Sequence, residues 1–176
     1  MPATLKVWDI WVRFTHWAVA GIVMWNLYAE TGNYVHRVAG YVAAGLVAAR
    51  VVWGVVGTRN ARFASWWPTR AQLAAYLRAL ASRKRIHHES HNPLGALMIV
   101  ALWLLVLALG VTGWMMRLDA FWGEEWLENI HRVLATTLEV CVYVHVAAAA
   151  AMSVYLRENL IGAMVTGIKR RARHRG

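Results

Sequence analysis

Residues 130–145 read IHRVLATTLEVCVYVH. Two histidines, His131 and His145, bracket a run that is apolar apart from Arg132, Thr136, Thr137 and Glu139. Fourteen residues of α-helix rise about 21 Å, and at about 100° per residue the two side chains end roughly 40° apart in azimuth. Both imidazoles therefore point to one side of a helix, at two depths. Ionisable side chains are costly in a hydrocarbon layer and tend to face a bundle interior or a functional site. The stretch reads as a membrane-crossing helix with two histidines on its inner face.

Working outward, the whole chain has the composition of such a helix. Of its 176 residues 59% are hydrophobic and only 16% charged, whereas soluble domains run about 45–50% apolar and about 25% charged. Four apolar stretches are each long enough to cross a hydrocarbon core, which takes about 20 helical residues: Val7 to Tyr28, His36 to Val56, Leu94 to Met116 and His131 to Tyr155. They occupy most of the chain, so the expectation is a single all-α membrane domain over residues 1–176, an integral four-helix bundle. The first stretch carries Asp9, Arg13 and His16 and lacks a following small-residue cleavage site, which reads as a retained helix rather than a cleaved signal.

The net charge of +10 is distributed as a topology signal. Arg59, Arg62, Arg70, Arg78, Arg83, Lys84 and Arg85 crowd the connection between the second and third stretches, and Lys169, Arg170, Arg171, Arg173 and Arg175 crowd the tail. The other two connections hold Glu30, and then Asp119, Glu124, Glu125 and Glu128 against Arg117. Positive loops stay on the cytoplasmic side, which puts both termini there. Basic residues set between and after apolar runs do not form one amphipathic surface, so nucleic acid is not an expected partner. Thr69 to Lys84 places Leu73, Tyr76, Leu77 and Leu80 at helical spacing and reads as a surface helix in the headgroup layer, as does Asn159 to Ile168. Each is either a lipid anchor or a docking surface for a cytoplasmic partner. Trp66, Trp67, Trp114, Trp122 and Trp126 fall near span ends, where an aromatic belt is expected.

One cysteine, Cys141, excludes an internal disulfide framework, a CxxCH attachment and a thiolate-held iron–sulfur cluster. The histidines remain. His36 and His131 each open a stretch at the outer surface. His16 lies 12 residues before Tyr28, about 18 Å below the outer end, within a turn of the depth of His145. Two pairs at matching depth result, His36 with His131 and His16 with His145, each joining different helices. Axial ligation of an iron porphyrin needs one nitrogen from each side of the plane, and two such pairs suit two non-covalent haems. Two ligands at separated depths fall short of the three or four protein ligands of a zinc site. Taken singly, each histidine also suits an ordinary wet helix end or a hydrogen-bonded contact. His87, His88 and His91 precede Pro93 in a basic loop, where a structural role is expected, and His174 sits in the polar tail.

WDIWVRFTHW around His16, HRVAGYVAAGLVAARVVWG from His36, HNPLGALM from His91, and IHRVLATTLEVCVYVH followed by RENLIGAMVTG together resemble the bacterial di-haem cytochrome b561 family. That family includes the membrane cytochrome b subunits of nickel–iron hydrogenases. The resemblance implies a haem b bundle of the bacterial cytoplasmic membrane that passes electrons between quinone and a redox partner. It implies the ligands His16, His36, His131 and His145. The connection Ala29 to Val35 is short beside the outer loops of hydrogenase subunits. The partner stays open between a periplasmic cytochrome c and a dehydrogenase or hydrogenase subunit, and a homo-oligomer is a further option. Two alternatives stand beside this one: a stand-alone superoxide:quinone oxidoreductase and a redox-silent membrane anchor.

Several polar residues are placed to tune such a site. Arg50 follows His36 by 14 residues and shares its face about 21 Å inward; it either pairs with a haem propionate or snorkels to headgroups. Arg37 and Arg132, next to the outer histidines, are candidates for the outer propionates or plain interfacial arginines, and Arg13 beside His16 joins them. Glu139 in mid-span is expected to be protonated or paired with a donor, as a helix contact or a proton relay. Gly40, Gly45, Gly110 and Gly113 are candidates for close helix or porphyrin approach.

Overall fold

The structure is a computed structural model that describes residues 4–29, 32–84, 86 and 91–170. Its elements in chain order are β1 (Thr4–Lys6), α1 (Ile10–Tyr28), α2 (Tyr34–Val56), α3 (Arg70–Ala81), α4 (Pro93–Met115), α5 (Glu125–Leu156), α6 (Leu160–Thr166) and β2 (Ile168–Arg170). Local chemistry sets most of the helix starts. The Asp9 carboxylate accepts from the Val12 amide at 2.8 Å and Asn33 from that of His36 at 2.8 Å, each satisfying one donor that the first helical turn leaves unpaired. Asn92 caps α4 through the Gly95 amide at 2.7 Å, with Pro93 in the first turn, where its missing N–H is no loss. Thr69 and Gln72 form a reciprocal capping box on α3.

Helices α2, α4 and α5 are long and apolar enough to cross a membrane. Helix α5 starts at Glu125, ahead of the apolar run that opens at His131, because Glu125 and Glu128 in its first turn complement the positive end of the helix dipole. Helix α1 packs on α2, α2 on α4, and α4 on α5. The core draws one or two residues from each: Val23, Ala43, Val47, Val106 and Leu138. Gly110 lets α4 approach α2 closely, since a Cβ there would lie 2.7 Å from that of Ala44. The outward surface is apolar as well, with Leu104, Val133 and Val154 largely exposed, the pattern of helices whose outer solvent is lipid. Helix α3 lies beside α4, with Tyr76 buried and Leu77 and Leu80 exposed.

Two short strands modify the helical expectation. Strand β1 pairs antiparallel with β2, Thr4 opposite Arg170 and Lys6 opposite Ile168. Beyond the pairing, the Val7 and Trp8 amides donate to the Gly167 carbonyl at 2.8 and 3.3 Å. Gly167 sits at φ +80°, a left-handed conformation that suits glycine. Lys169 reaches the Glu158 carboxylate at 2.8 Å, both side chains buried. A small second core of Val7, Trp8, Val12 and Ala61 lies against this strap. The α2–α3 connection, with Arg59 and Arg62, is at the same end of the molecule, which is called the basic end below.

Candidate functional site

Two of the four span histidines come together near the basic end. His16 on α1 and His145 on α5 have ring centroids 6.4 Å apart with planes inclined at 51°. A metal bound to two imidazole nitrogens at about 2.0 Å each, with each nitrogen roughly 1.1 Å from its ring centre, separates the centroids by about 6 Å. The observed spacing fits two axial ligands of one metal. The Nδ1 atom of His16 is buried and has no hydrogen-bond partner among the described residues. Thr15, buried beside it, returns its hydroxyl to the Trp11 carbonyl at 2.9 Å and so makes no demand on the imidazole.

At the opposite end His36, in the first turn of α2, and His131, in α5, are electrostatic neighbours. The His36 carbonyl accepts from the Asn26 side chain at 3.0 Å, which ties α1 to the head of α2. Its Nδ1 is buried without a partner among the described residues. His131 differs, because its Nδ1 meets the Thr112 hydroxyl of α4 at 2.7 Å. A Cβ at Gly113 would stand 3.5 Å from His131 Cε1, so the ring rests against a position without a side chain.

The arginines separate by environment. Arg50 is 5% exposed; one amine reaches the Ala61 carbonyl at 3.3 Å, the guanidinium stands 5.2 Å from the Trp103 ring centre, and Nη1 has no partner among the described residues. Its side chain is enclosed by the protein. Arg13 likewise buries an unpartnered Nε. By contrast Arg132 is exposed and engages Asn129 on its own helix at 2.9 Å. Arg37 donates to the Gly32 carbonyl at 2.8 Å and lies near Tyr34.

A family model described as prokaryotic cytochrome b561 matches residues 7–167. The chain belongs to the prokaryotic cytochrome b561 family. No curated protein and no solved structure gives a match. As a b561 cytochrome it is a multi-pass membrane protein that binds haem b and transfers electrons. Half-buried histidines from different helices, and arginine donors left unspent at Arg50 Nη1 and Arg13 Nε among the described residues, are chemically suited to a porphyrin's iron and its propionates respectively.

Three features of this b561 cytochrome lay outside the reach of its sequence patterns. Thr112 is one, since nothing in α4 marks it as the partner of a histidine on α5. The second is His91, held between the rings of Trp8 at 4.6 Å and Trp66 at 5.3 Å; burial, with Arg50 nearby, pushes its pKa down to about 3. The third is the identity of the donor expected for Glu139: its carboxyl accepts from Tyr143 at 2.9 Å, while Tyr143 is hydrogen-bonded to Tyr28. The mid-span carboxyl thus has a donor, and α5 is tied to the end of α1. His87, His88 and Glu89 lie outside the described residues. Among the described residues no group of three or more His, Cys, Asp or Glu is placed to hold a metal ion.

Proposed function

We propose that this cytochrome holds two haem b groups, one between His16 and His145 and one between His36 and His131, and relays electrons through them between membrane quinone and a redox partner protein. The observation that carries the proposal is the 6.4 Å separation of the His16 and His145 rings. When bound, each haem supplies a one-electron couple that alternates between ferric and ferrous iron. The chain's own part is to hold, orient and insulate. The imidazoles of His16 on α1 and His145 on α5 would hold the first haem, and the unspent donors of Arg50 and Arg13 would be available to its carboxylates. The apolar helices around both sites keep water away and lower the local dielectric, which raises the weight of every nearby charge.

The architecture proposed is a four-span bundle forming a single membrane domain, with α1 as the fourth span and both termini cytoplasmic. Strand β1 directly precedes α1, strand β2 closes the segment after α5, and the two are hydrogen-bonded. A chain whose ends pair on one face must cross the membrane an even number of times. Helices α2, α4 and α5 make three crossings, so α1, 19 residues long and about 28 Å, supplies the fourth. The positive-inside rule assigns the basic end to the cytoplasm, in keeping with a bacterial inner membrane. At the opposite end Asp119, Glu124, Glu125 and Glu128 form an acidic face toward the α4–α5 connection, suited to a basic periplasmic partner.

A pyridine haemochrome assay on the purified full-length protein tests the proposal. Two haems per chain are expected, with reduction of both by a short-chain quinol. A ratio near zero overturns the haem sites, a ratio near one removes one of the two pairs, and two haems indifferent to quinol remove quinone from the proposal.

A further inference from the structure

Helix α4 contributes none of the four span histidines, yet its Thr112 hydroxyl lies 2.7 Å from His131 Nδ1. The same oxygen is 2.9 Å from the Ala108 carbonyl and 3.2 Å from that of Leu109. A hydroxyl has one proton to give and two lone pairs, and a carbonyl can only accept. The Thr112 proton therefore goes to the α4 backbone, and a lone pair is left to receive a proton from His131. That assigns the Nδ1–H tautomer to His131 and leaves the lone pair on Nε2, the nitrogen then free to bind a metal. Thr112 is itself 9% exposed, so water does not compete for the bond. The next residue in α4, Gly113, lies beside the same ring, where a Cβ would make ordinary van der Waals contact with His131 Cε1 at 3.5 Å.

Resting on the haem sites proposed above, we propose that Thr112 is the positioning residue of His131, fixing the tautomer and ring plane of that ligand and setting the potential of its haem apart from that of the His16–His145 haem. A hydrogen bond accepted from the distal N–H makes an imidazole a stronger donor to its metal, and loss of such an outer partner weakens metal sites by roughly 10–100-fold. A stronger donor favours ferric over ferrous iron. The Nδ1 of His16 has no such partner among the described residues, so the effect is confined to one of the two sites.

The test compares full-length wild type, Thr112→Val and Thr112→Ser in detergent, by haem stoichiometry, redox titration and low-temperature EPR of the ferric haems. Thr112→Val keeps the shape and removes the acceptor. It is expected to raise one midpoint potential, by about 59 mV for each tenfold loss of ferric preference, and to move one low-spin EPR signal while leaving the other in place. Thr112→Ser keeps the hydroxyl and should match wild type in both. Should Thr112→Val not accumulate, Thr112→Ala takes its place with the same expectations. Unchanged potentials and signals in the hydroxyl-free variant overturn the inference, as does a serine variant that behaves like valine. Loss of both haems together also overturns it, because that is a defect of the bundle and not of one ligand. Wild type without two haems removes the sites on which it rests; two haems with an indifferent Thr112→Val remove this inference alone.

Discussion

The rings of His16 and His145 stand 6.4 Å apart across a gap that backbone packing does not close. The principal helix contacts run α1 to α2, α2 to α4 and α4 to α5, so α1 and α5 are the ends of that series. Side chains, not close backbones, span the space between them: the two imidazoles at one level, and Tyr28 with Tyr143 nearer the far end of α1. A haem bound at this level would be held by one imidazole from each of the two helices.

Replacement of either member of a pair should therefore remove the same haem. Purified His16→Ala and His145→Ala are each expected to lose one haem relative to wild type, with matching residual spectra and a matching residual potential. His36→Ala and His131→Ala should give the complementary residual haem. If His16→Ala and His145→Ala deplete different haems, the pairing across α1 and α5 is wrong.

Arg50 makes a prediction of opposite sign to that of Thr112. Its guanidinium is buried, with Nη1 unspent, and a fixed positive charge beside a haem favours the ferrous state, whose net charge is more negative. Arg50→Leu is expected to lower the potential of the His16–His145 haem on the order of 60 mV, one tenfold step in ferrous preference. Arg50→Lys retains the charge but not the planar fork and should fall between. Equal potentials in wild type and Arg50→Leu would place this arginine outside the reach of the haem.

His91 is expected to make the protein sensitive to acid. Its pKa falls from 6.5 to about 3 in the folded state. Below about 6.5 the unfolded chain takes up a proton that the folded chain refuses, so stability declines as pH falls toward 3; above 6.5 both states are neutral and the contribution vanishes. His91→Gln removes the imidazole and should flatten the decline. Thermal transitions of the solubilised protein at neutral pH and near pH 5 provide the measurement, and an equal loss in both proteins would show that other groups carry the acid sensitivity.

How much of this was legible in the sequence depends on whether a feature lives along one helix or between two. The depth and azimuth of His131 and His145 follow from helical periodicity alone, and the charge of the connections allowed His16 to be set level with His145, where the two rings meet. Thr112 was out of reach because α4 is apolar on nearly every side, so periodicity does not say which face turns to α5. Arg50 had two readings of equal standing, and its enclosure against Ala61 and Trp103 depends on a connection outside α2 that periodicity along the helix does not describe. The strap of β1 with β2 joins segments at the two ends of the chain, three residues each, too short for strand alternation to register.

Gly110 couples helix packing to Thr112, two residues on in α4, and through it to His131. A Cβ at this position would stand 2.7 Å from that of Ala44, and both belong to backbones that cannot turn aside as a flexible side chain can. Gly110→Ala must push α2 and α4 apart, and overpacking of this kind costs about 1–3 kcal/mol, offset by up to about 1 kcal/mol from the better helix propensity of alanine. Exchanging the two residues, Ala44→Gly with Gly110→Ala, restores the space and leaves the propensity sum unchanged. The double variant should thus be more stable than Gly110→Ala alone, with a coupling energy that additive sites would not show. Displacement of α4 also moves Thr112 against His131, so the single variant should shift the potential of the His36–His131 haem and the double variant should return it. Thermal melts and redox titrations of the four proteins in the cycle decide the matter: additive stabilities would mean that α2 and α4 do not meet at Gly110 and Ala44, and an unmoved potential would uncouple that contact from the histidine.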